Sequence, residues 1–136
     1  MPPAMPKLQE ILHEPALNGV YRLRMPPGSF PDSLVPVLDG RTLADKHSLL
    51  AALGHALDFP EYYGGNWDAL EECLGDFSWR DGPVQLVIHH AGAIPDHLLA
   101  MLLDLFSEAA DNWAGQGRVC SLFLTGLQRD DLPEAA

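Results

Sequence analysis

Two short apolar runs constrain the fold more than any other feature of the chain. They are residues 84–88 (VQLVI) and residues 119–124 (VCSLFL). Each run has the length of a strand and is mostly apolar, which is typical of the central strands of a sheet that is covered on both faces. A longer segment with helical spacing of its apolar residues lies between them and begins at about Ile94, with Pro95 near its first turn. The order strand, helix, strand predicts a parallel pair with a right-handed crossover.

Three further elements precede these runs. Residues 20–24 (VYRLR) alternate as a half-exposed strand does, and residues 34–38 (LVPVL) are a second strand candidate, which Pro36 favours at an edge. Asp45 is a suitable N-cap for a helix that extends to about Leu57. We therefore predict an α/β domain with a small parallel or mostly parallel sheet packed by helices. The first candidate strand could join this sheet antiparallel.

The length of 136 residues fits one domain. We assign residues 1–17 to a proline-rich N-terminal segment that is mobile or weakly ordered, residues 18–127 to the domain, and residues 128–136 to a polar C-terminal tail. Cys73 and Cys120 lie in apolar segments, as buried thiols in a reducing compartment do. We find neither a signal peptide nor a segment of membrane-spanning length, so we expect a cytoplasmic protein with no membrane partner.

The charge balance argues against one class of function. The chain has 19 acidic residues against 8 Lys and Arg, a formal net charge of −11 at pH 7. Such a chain is unsuited to direct nucleic acid binding by phosphate neutralisation, and it suits a basic partner or simple solubility. Residues 47–117 contain eleven Asp and Glu but a single base, Arg80, so the middle of the chain carries one sign of charge.

Residues 59–76 (FPEYYGGNWDALEECLGD) join a loop with aromatic residues and glycines to a short helix rich in carboxylates. Asn66 is a suitable N-cap for this helix. The apolar residues fall on one side of it, namely Trp67, Leu70, Leu74 and Phe77. The acidic residues fall on the opposite side, namely Asp68, Glu72 and Asp76, with Glu71 flanking them. The helix is thus predicted to have one buried side and one acidic side.

The acidic side of this helix is electrostatically unfavourable. Like charges at i and i+4 destabilise an isolated helix by roughly 0.2–0.5 kcal/mol per pair. Asp68 and Glu72, and Glu72 and Asp76, have this spacing without a Lys or Arg to relieve them. A surface of one sign beside two tyrosines favours recognition of a positively charged partner, and an ordinary solvated surface is the alternative.

The aromatic residues of this segment have two interpretations. Tyr62 and Tyr63 can anchor the loop to the core, or one of them can face outward beside Gly64 and Gly65 as a binding residue. Trp67 at the first helical position is equally a candidate core anchor or a candidate surface contact.

The stretch FPEYYGGNWDALEECL resembles the signature of the barstar family of intracellular ribonuclease inhibitors, in which a proline, an acid, two aromatics, glycine and asparagine precede Asp-Ala-Leu and a further acid. The resemblance extends from residues 38–74 to residues 84–88, 102–110 and 119–124, and leaves the first 33 residues or so outside. It implies a three-stranded parallel sheet packed by helices, to which this chain adds an N-terminal strand. It also implies a protein that is not an enzyme, an inhibitor of antitoxin or immunity type that blocks a ribonuclease.

The acidic helix and the resemblance together give the candidate partner-binding residues, which are Tyr62, Tyr63, Asn66, Trp67, Asp68, Glu71, Glu72, Asp76 and Glu108. By the resemblance, the helix carboxylates take the place of RNA phosphates in the basic active site of a ribonuclease or ribonuclease-like toxin. Glu72 is then the central acid, although the best-known member of the family has aspartate there. Residues 75–83 are longer than in that member, so Trp79 is only a partial counterpart of an interface tryptophan. We expect a monomer when the protein is free.

Other sites are less well supported. His89, His90 and His97 could be metal ligands, but adjacent histidines at a strand end point to opposite sides, and no acid or cysteine completes the set. The acidic cluster could form a catalytic carboxylate pair or a divalent-cation site, so a small acidic metal-dependent hydrolase is the alternative function. Catalysis needs carboxylates in differing environments within a cleft, whereas these line one exposed side of a helix. We predict no catalytic residue, no metal site and no cofactor.

Overall fold

A parallel sheet forms the centre of the protein. The computed structural model describes residues 6–24, 30, 35–60, 63–128 and 131–135, and within them the sheet has four strands in the order β1-β4-β3-β2. The strands are β1 (Gly19–Arg22), β2 (Val37–Asp39), β3 (Val84–His89) and β4 (Cys120–Leu124). Each neighbouring pair is parallel. The predicted α/β fold with a small parallel sheet and an added N-terminal strand is confirmed.

The direction of β1 corrects the sequence-based expectation. β1 is parallel to β4, with Gly19 opposite Ser121 and Arg22 opposite Leu124, so the antiparallel arrangement considered for this strand is wrong. β1 and β2 lie at opposite edges of the sheet. An alternating pattern identifies a strand but carries no information about its direction.

Four α-helices lie in the described residues, namely α1 (Leu8–Ile11), α2 (Lys46–Ala56), α3 (Trp67–Asp76) and α4 (Asp96–Gly115). Both predicted N-caps are confirmed. The Asp45 carboxylate accepts a hydrogen bond from the Ser48 N–H at 2.7 Å, and the Asn66 side-chain oxygen accepts one from the Ala69 N–H at 2.7 Å. α3 ends before Phe77, which adopts a left-handed conformation with a φ of 44° and is nevertheless buried.

Helices α2, α3 and α4 cover one face of the sheet. Leu86, Ile88 and Leu122 of the two central strands are buried in the core on this face. Leu70 and Leu74, on the apolar side of α3, belong to the same core. Burial of that side fixes the acidic side of α3 toward solvent.

The opposite face of the sheet is covered by the N-terminal part of the chain. Leu8, Ile11 and Leu12 are buried there in one cluster with Val87 and Phe123 of the central strands. The described part of the proline-rich N-terminal segment therefore contributes to the core. Its apolar residues are too few to show a helical period, so the sequence pattern does not reveal this contribution.

Residues 133–135 pair with the outer edge of β1 at Arg22. The Arg22 N–H donates to the Pro133 carbonyl at 2.8 Å, and the Ala135 N–H donates to the Arg22 carbonyl at 3.0 Å. These two bonds occupy the backbone groups at the end of the β1 edge. The described end of the polar tail is thus attached to the domain.

Candidate functional site

The acidic residues predicted to bind a partner line one open groove between α3 and α4. Asp68, Glu71, Glu72 and Asp76 come from α3, and Glu108 comes from α4. The groove has a volume of about 700 Å³, and all five side chains are exposed. Two helices that are distant in the sequence therefore present their carboxylates on one surface, which we call the acidic groove.

The packing of α3 against α4 produces this arrangement. Leu70 and Leu74 of α3 share the core with Phe106 of α4, and all three side chains are buried. Because the apolar sides of α3 and α4 face inward, the carboxylates on the other sides of the two helices lie at the solvent-exposed edge of the contact between them. The walls of the acidic groove are thus regular helices rather than loops, and their carboxylates have defined positions.

Four further residues line the acidic groove, namely Gly75, Leu105, Ala109 and Asn112. The sequence-based prediction does not include them. Leu105 and Asn112 lie three residues before and four residues after Glu108, so they share its side of α4. Helical spacing from Glu108 is the signal that identifies them.

The acidic groove has a negative electrostatic environment. Neither Lys nor Arg is among the described residues that line it. Arg80, the one base in the acidic middle of the chain, instead lies with its Nη1 atom 3.7 Å from Oδ2 of Asp58. The carboxylates also affect the buried thiol of Cys73, because burial raises the pKa of Cys73 and the charges of Asp76 and Glu72 raise this pKa further.

The loop before α3 is anchored by Tyr63. The Tyr63 hydroxyl donates a hydrogen bond to the Leu50 carbonyl at 3.0 Å, and its ring meets Phe59 edge-on with 4.8 Å between centroids. A Cβ atom at Gly54 would lie 2.8 Å from the Tyr63 ring, so the glycine makes room for it. Burial, followed by the charge of Cys73, raises the pKa of Tyr63 to about 12. Tyr63 therefore anchors the loop to the core, which is the first of the two interpretations of the tyrosines.

The other candidates lie outside the acidic groove or outside the described residues. Asn66 is exposed and caps α3. Trp67 is half-buried against the core. Neither Asn66 nor Trp67 lines the acidic groove. Tyr62 falls among the residues that the structure does not describe. Trp79 is half-buried, and its Nε1–H donates to the Leu57 carbonyl at 3.4 Å.

The histidines at the end of β3 lie in different environments. His89 is buried, with Nδ1 2.8 Å from Oγ1 of Thr125, whereas His90 is half-buried in a left-handed conformation. Burial lowers the pKa of His89. Over the described ranges, no group of three or more His, Cys, Asp or Glu is placed to hold a metal ion. Within the same part of the chain, no helix is long and apolar enough to cross a membrane.

Comparison with known proteins identifies the family. The family model described as Barstar (barnase inhibitor) matches residues 34–125, a range that contains β2, α2, α3, β3, α4 and β4. A protein of Bacillus subtilis (strain 168) named "Putative ribonuclease inhibitor YrdF" is 33% identical over an alignment of 84 residues, which covers 57% of this chain and 90% of that protein. The chain therefore belongs to the Barstar family.

Proposed function

We propose that the protein is not an enzyme but an inhibitor of antitoxin or immunity type, which binds the basic active site of a ribonuclease through the acidic groove. The observation that carries this proposal is the convergence of five exposed carboxylates from α3 and α4 in one groove, with no base among its described lining residues. Membership of the Barstar family and the name of the Bacillus subtilis relative support a role like that of the barnase inhibitor.

The chemistry of the two surfaces is complementary. A ribonuclease holds phosphate groups with Arg, Lys and His side chains, and carboxylates can form charge-assisted hydrogen bonds with the same groups, bidentate ones with Arg. Opposite charge also raises the rate of association. Carboxylates on packed helices lose less conformational freedom on binding than carboxylates on a mobile loop. The acidic groove would therefore take the place of the RNA phosphates.

The positions of the carboxylates suggest a division of roles. Glu72 lies between Asp68 and Asp76 on α3, and Glu108 faces the acidic groove from α4. We assign the largest contributions to Asp68 and Glu72. Tyr62, Asn66 and Trp67 are kept as further candidate contacts, the last two at the N-terminal end of α3, and Tyr63 would support the loop that precedes α3. We also propose that the free protein is a monomer and acts in the cytoplasm of the cell that produces the ribonuclease.

A capture experiment tests this function. The protein is immobilised and exposed to an extract of the source cells, and each eluate is assayed for cleavage of RNA before and after the complex is dissociated. We expect a basic protein whose ribonuclease activity is suppressed in the complex and recovered on dissociation. Bait carrying Glu72→Lys should not capture it, whereas bait carrying Glu10→Lys should. Glu10 is the matched control, because it is exposed on α1, at the opposite face of the sheet. Equal capture by both variants, or an eluate without ribonuclease activity, would contradict the proposal.

A further inference from the structure

We propose that Trp113 and Arg118 are positioning residues that hold the two walls of the acidic groove at a fixed separation. Neither residue lines the groove. Trp113, near the end of α4, bonds to the carboxyl end of α3, and Arg118, three residues beyond α4, bonds to the chain that follows α3. The consequence for binding rests on the proposed function, whereas the consequence for the geometry of the groove does not.

Trp113 connects the two helices directly. Its ring is buried near the end of α4, and its Nε1–H donates to the Leu74 carbonyl at 2.8 Å. Leu74 lies in the last turn of α3. The backbone carbonyls of a last turn accept no hydrogen bond from within the helix, so they need a donor from elsewhere. Glu72 lies two residues before Leu74, and Glu108 lies five residues before Trp113. The hydrogen bond from Trp113 to Leu74 therefore joins the two walls within two helical turns of Glu72 on α3 and of Glu108 on α4.

Arg118 fixes the chain that follows α3. Its Nε donates to the Gly82 carbonyl at 2.7 Å, its Nη2 to the Arg80 carbonyl at 2.8 Å and its Nη1 to the Phe77 carbonyl at 3.3 Å. The guanidinium also lies 4.9 Å from the centroid of the Trp113 ring and 5.6 Å from that of the Phe77 ring. A planar group with five N–H donors can hold three carbonyls at once, whereas the point charge of lysine cannot reproduce this geometry.

Such a constraint matters because the acidic groove carries carboxylates on both walls. Carboxylates of α3 face Glu108 of α4 across the groove, and like charges favour a wider separation. α3 has 10 residues and is joined to the rest of the fold by a loop at each end, whereas α4 has 20 residues. Trp113 holds the carboxyl end of α3 and Arg118 holds the chain that follows it, and both contacts oppose such a separation. A groove held at one width binds more tightly than one that must be ordered on binding.

Two variants and one matched control test the inference. Trp113→Phe keeps an aromatic ring but removes the donor to Leu74, and Arg118→Lys keeps the charge but cannot hold three carbonyls. Tyr21→Phe is the control, because it also removes a hydrogen bond to a carbonyl, from the Tyr21 hydroxyl to Leu17 at 2.7 Å, in the cluster at the other face of the sheet. Each variant is measured for thermal unfolding, for affinity toward barnase as a probe, and for the separation of the two helices.

The separation is measured by pulsed electron paramagnetic resonance between spin labels at Gly75→Cys and Asn112→Cys, on opposite walls of the acidic groove. A Cβ atom at Gly75 meets open space. Cys73 and Cys120 are buried, and burial raises the pKa of each, to about 12 for Cys120, so both thiols react slowly with the label.

We expect Trp113→Phe and Arg118→Lys to broaden the distance distribution and to weaken barnase binding by roughly tenfold, a loss of about 1.4 kcal/mol. Tyr21→Phe should lower the unfolding temperature but leave both the distance distribution and the affinity as in the parent. A distance distribution that is unchanged in both variants would overturn the inference, and so would equal broadening in Tyr21→Phe. If the parent protein does not bind barnase while the distances still broaden, positioning is supported and the proposed function is contradicted for that enzyme.

Discussion

Neutralising Glu72 should stabilise the free protein while it weakens binding. Glu72 stands at i+4 from Asp68 and at i−4 from Asp76 on α3. Each such like-charge pair costs roughly 0.2–0.5 kcal/mol, so Glu72→Gln should relieve about 0.4–1 kcal/mol in total. Glutamine and glutamate have similar helix propensities and similar size, so the substitution changes little besides the charge.

Urea unfolding at low and high salt measures this effect. At low salt, Glu72→Gln should raise the free energy of unfolding by about 0.4–1 kcal/mol, and the gain should shrink at high salt because salt screens exposed charges. Asp96→Asn is the matched control with the same change of charge. Asp96 lies in the first turn of α4, where a carboxylate is favourable, so its neutralisation should cost about 0.3–1 kcal/mol. A loss of stability in Glu72→Gln, or a gain that does not depend on salt, would refute the electrostatic account of the acidic groove.

Three further substitutions test individual side-chain contacts of the fold. Asn66→Ala should destabilise the protein by about 1 kcal/mol in urea unfolding, because it removes the N-cap of α3, and an unchanged midpoint would contradict that role. Tyr63→Phe should cost about 1 kcal/mol through loss of the hydrogen bond to Leu50, without a change in the fold as judged by circular dichroism. Arg41, which hydrogen-bonds to the carboxylate, lowers the pKa of Asp39 from 3.8 to about 2. The stability that this pair contributes is therefore present above pH 3.8 and is lost as the pH falls through about 2. Arg41→Ala should move the pKa of Asp39 back toward 3.8 in a carbon-13 NMR titration, and an unmoved titration would show that another group sets it.

Features that depend on neighbouring residues could be predicted from the sequence. The caps at Asp45 and Asn66 are local, because each side chain accepts a hydrogen bond from an N–H three residues later. The acidic side of α3 follows from helical spacing alone. The parallel pair β3 and β4 follows from two apolar runs that are separated by a helical segment.

Features that depend on contacts between distant residues could not be predicted in this way. The approach of Glu108 to the acidic residues of α3 is implied only by the resemblance to the barstar family, because spacing within one helix carries no information about another. The bond from Trp113 to Leu74 spans 39 residues, and the contacts of Arg118 are made to backbone carbonyls, which every residue has. The direction of β1 likewise depends on the tertiary course of the chain.

The affinity of single charge-reversal variants for the purified cognate ribonuclease tests the role of the acidic groove most directly. Glu72→Lys and Glu108→Lys reverse one charge on each wall, and Glu10→Lys makes the same change at the opposite face of the sheet. If the acidic groove binds the basic active site, both groove variants lose binding at low salt, and Glu10→Lys binds as the parent protein does. Equal affinity of all three variants would show that the ribonuclease binds elsewhere and would contradict the account.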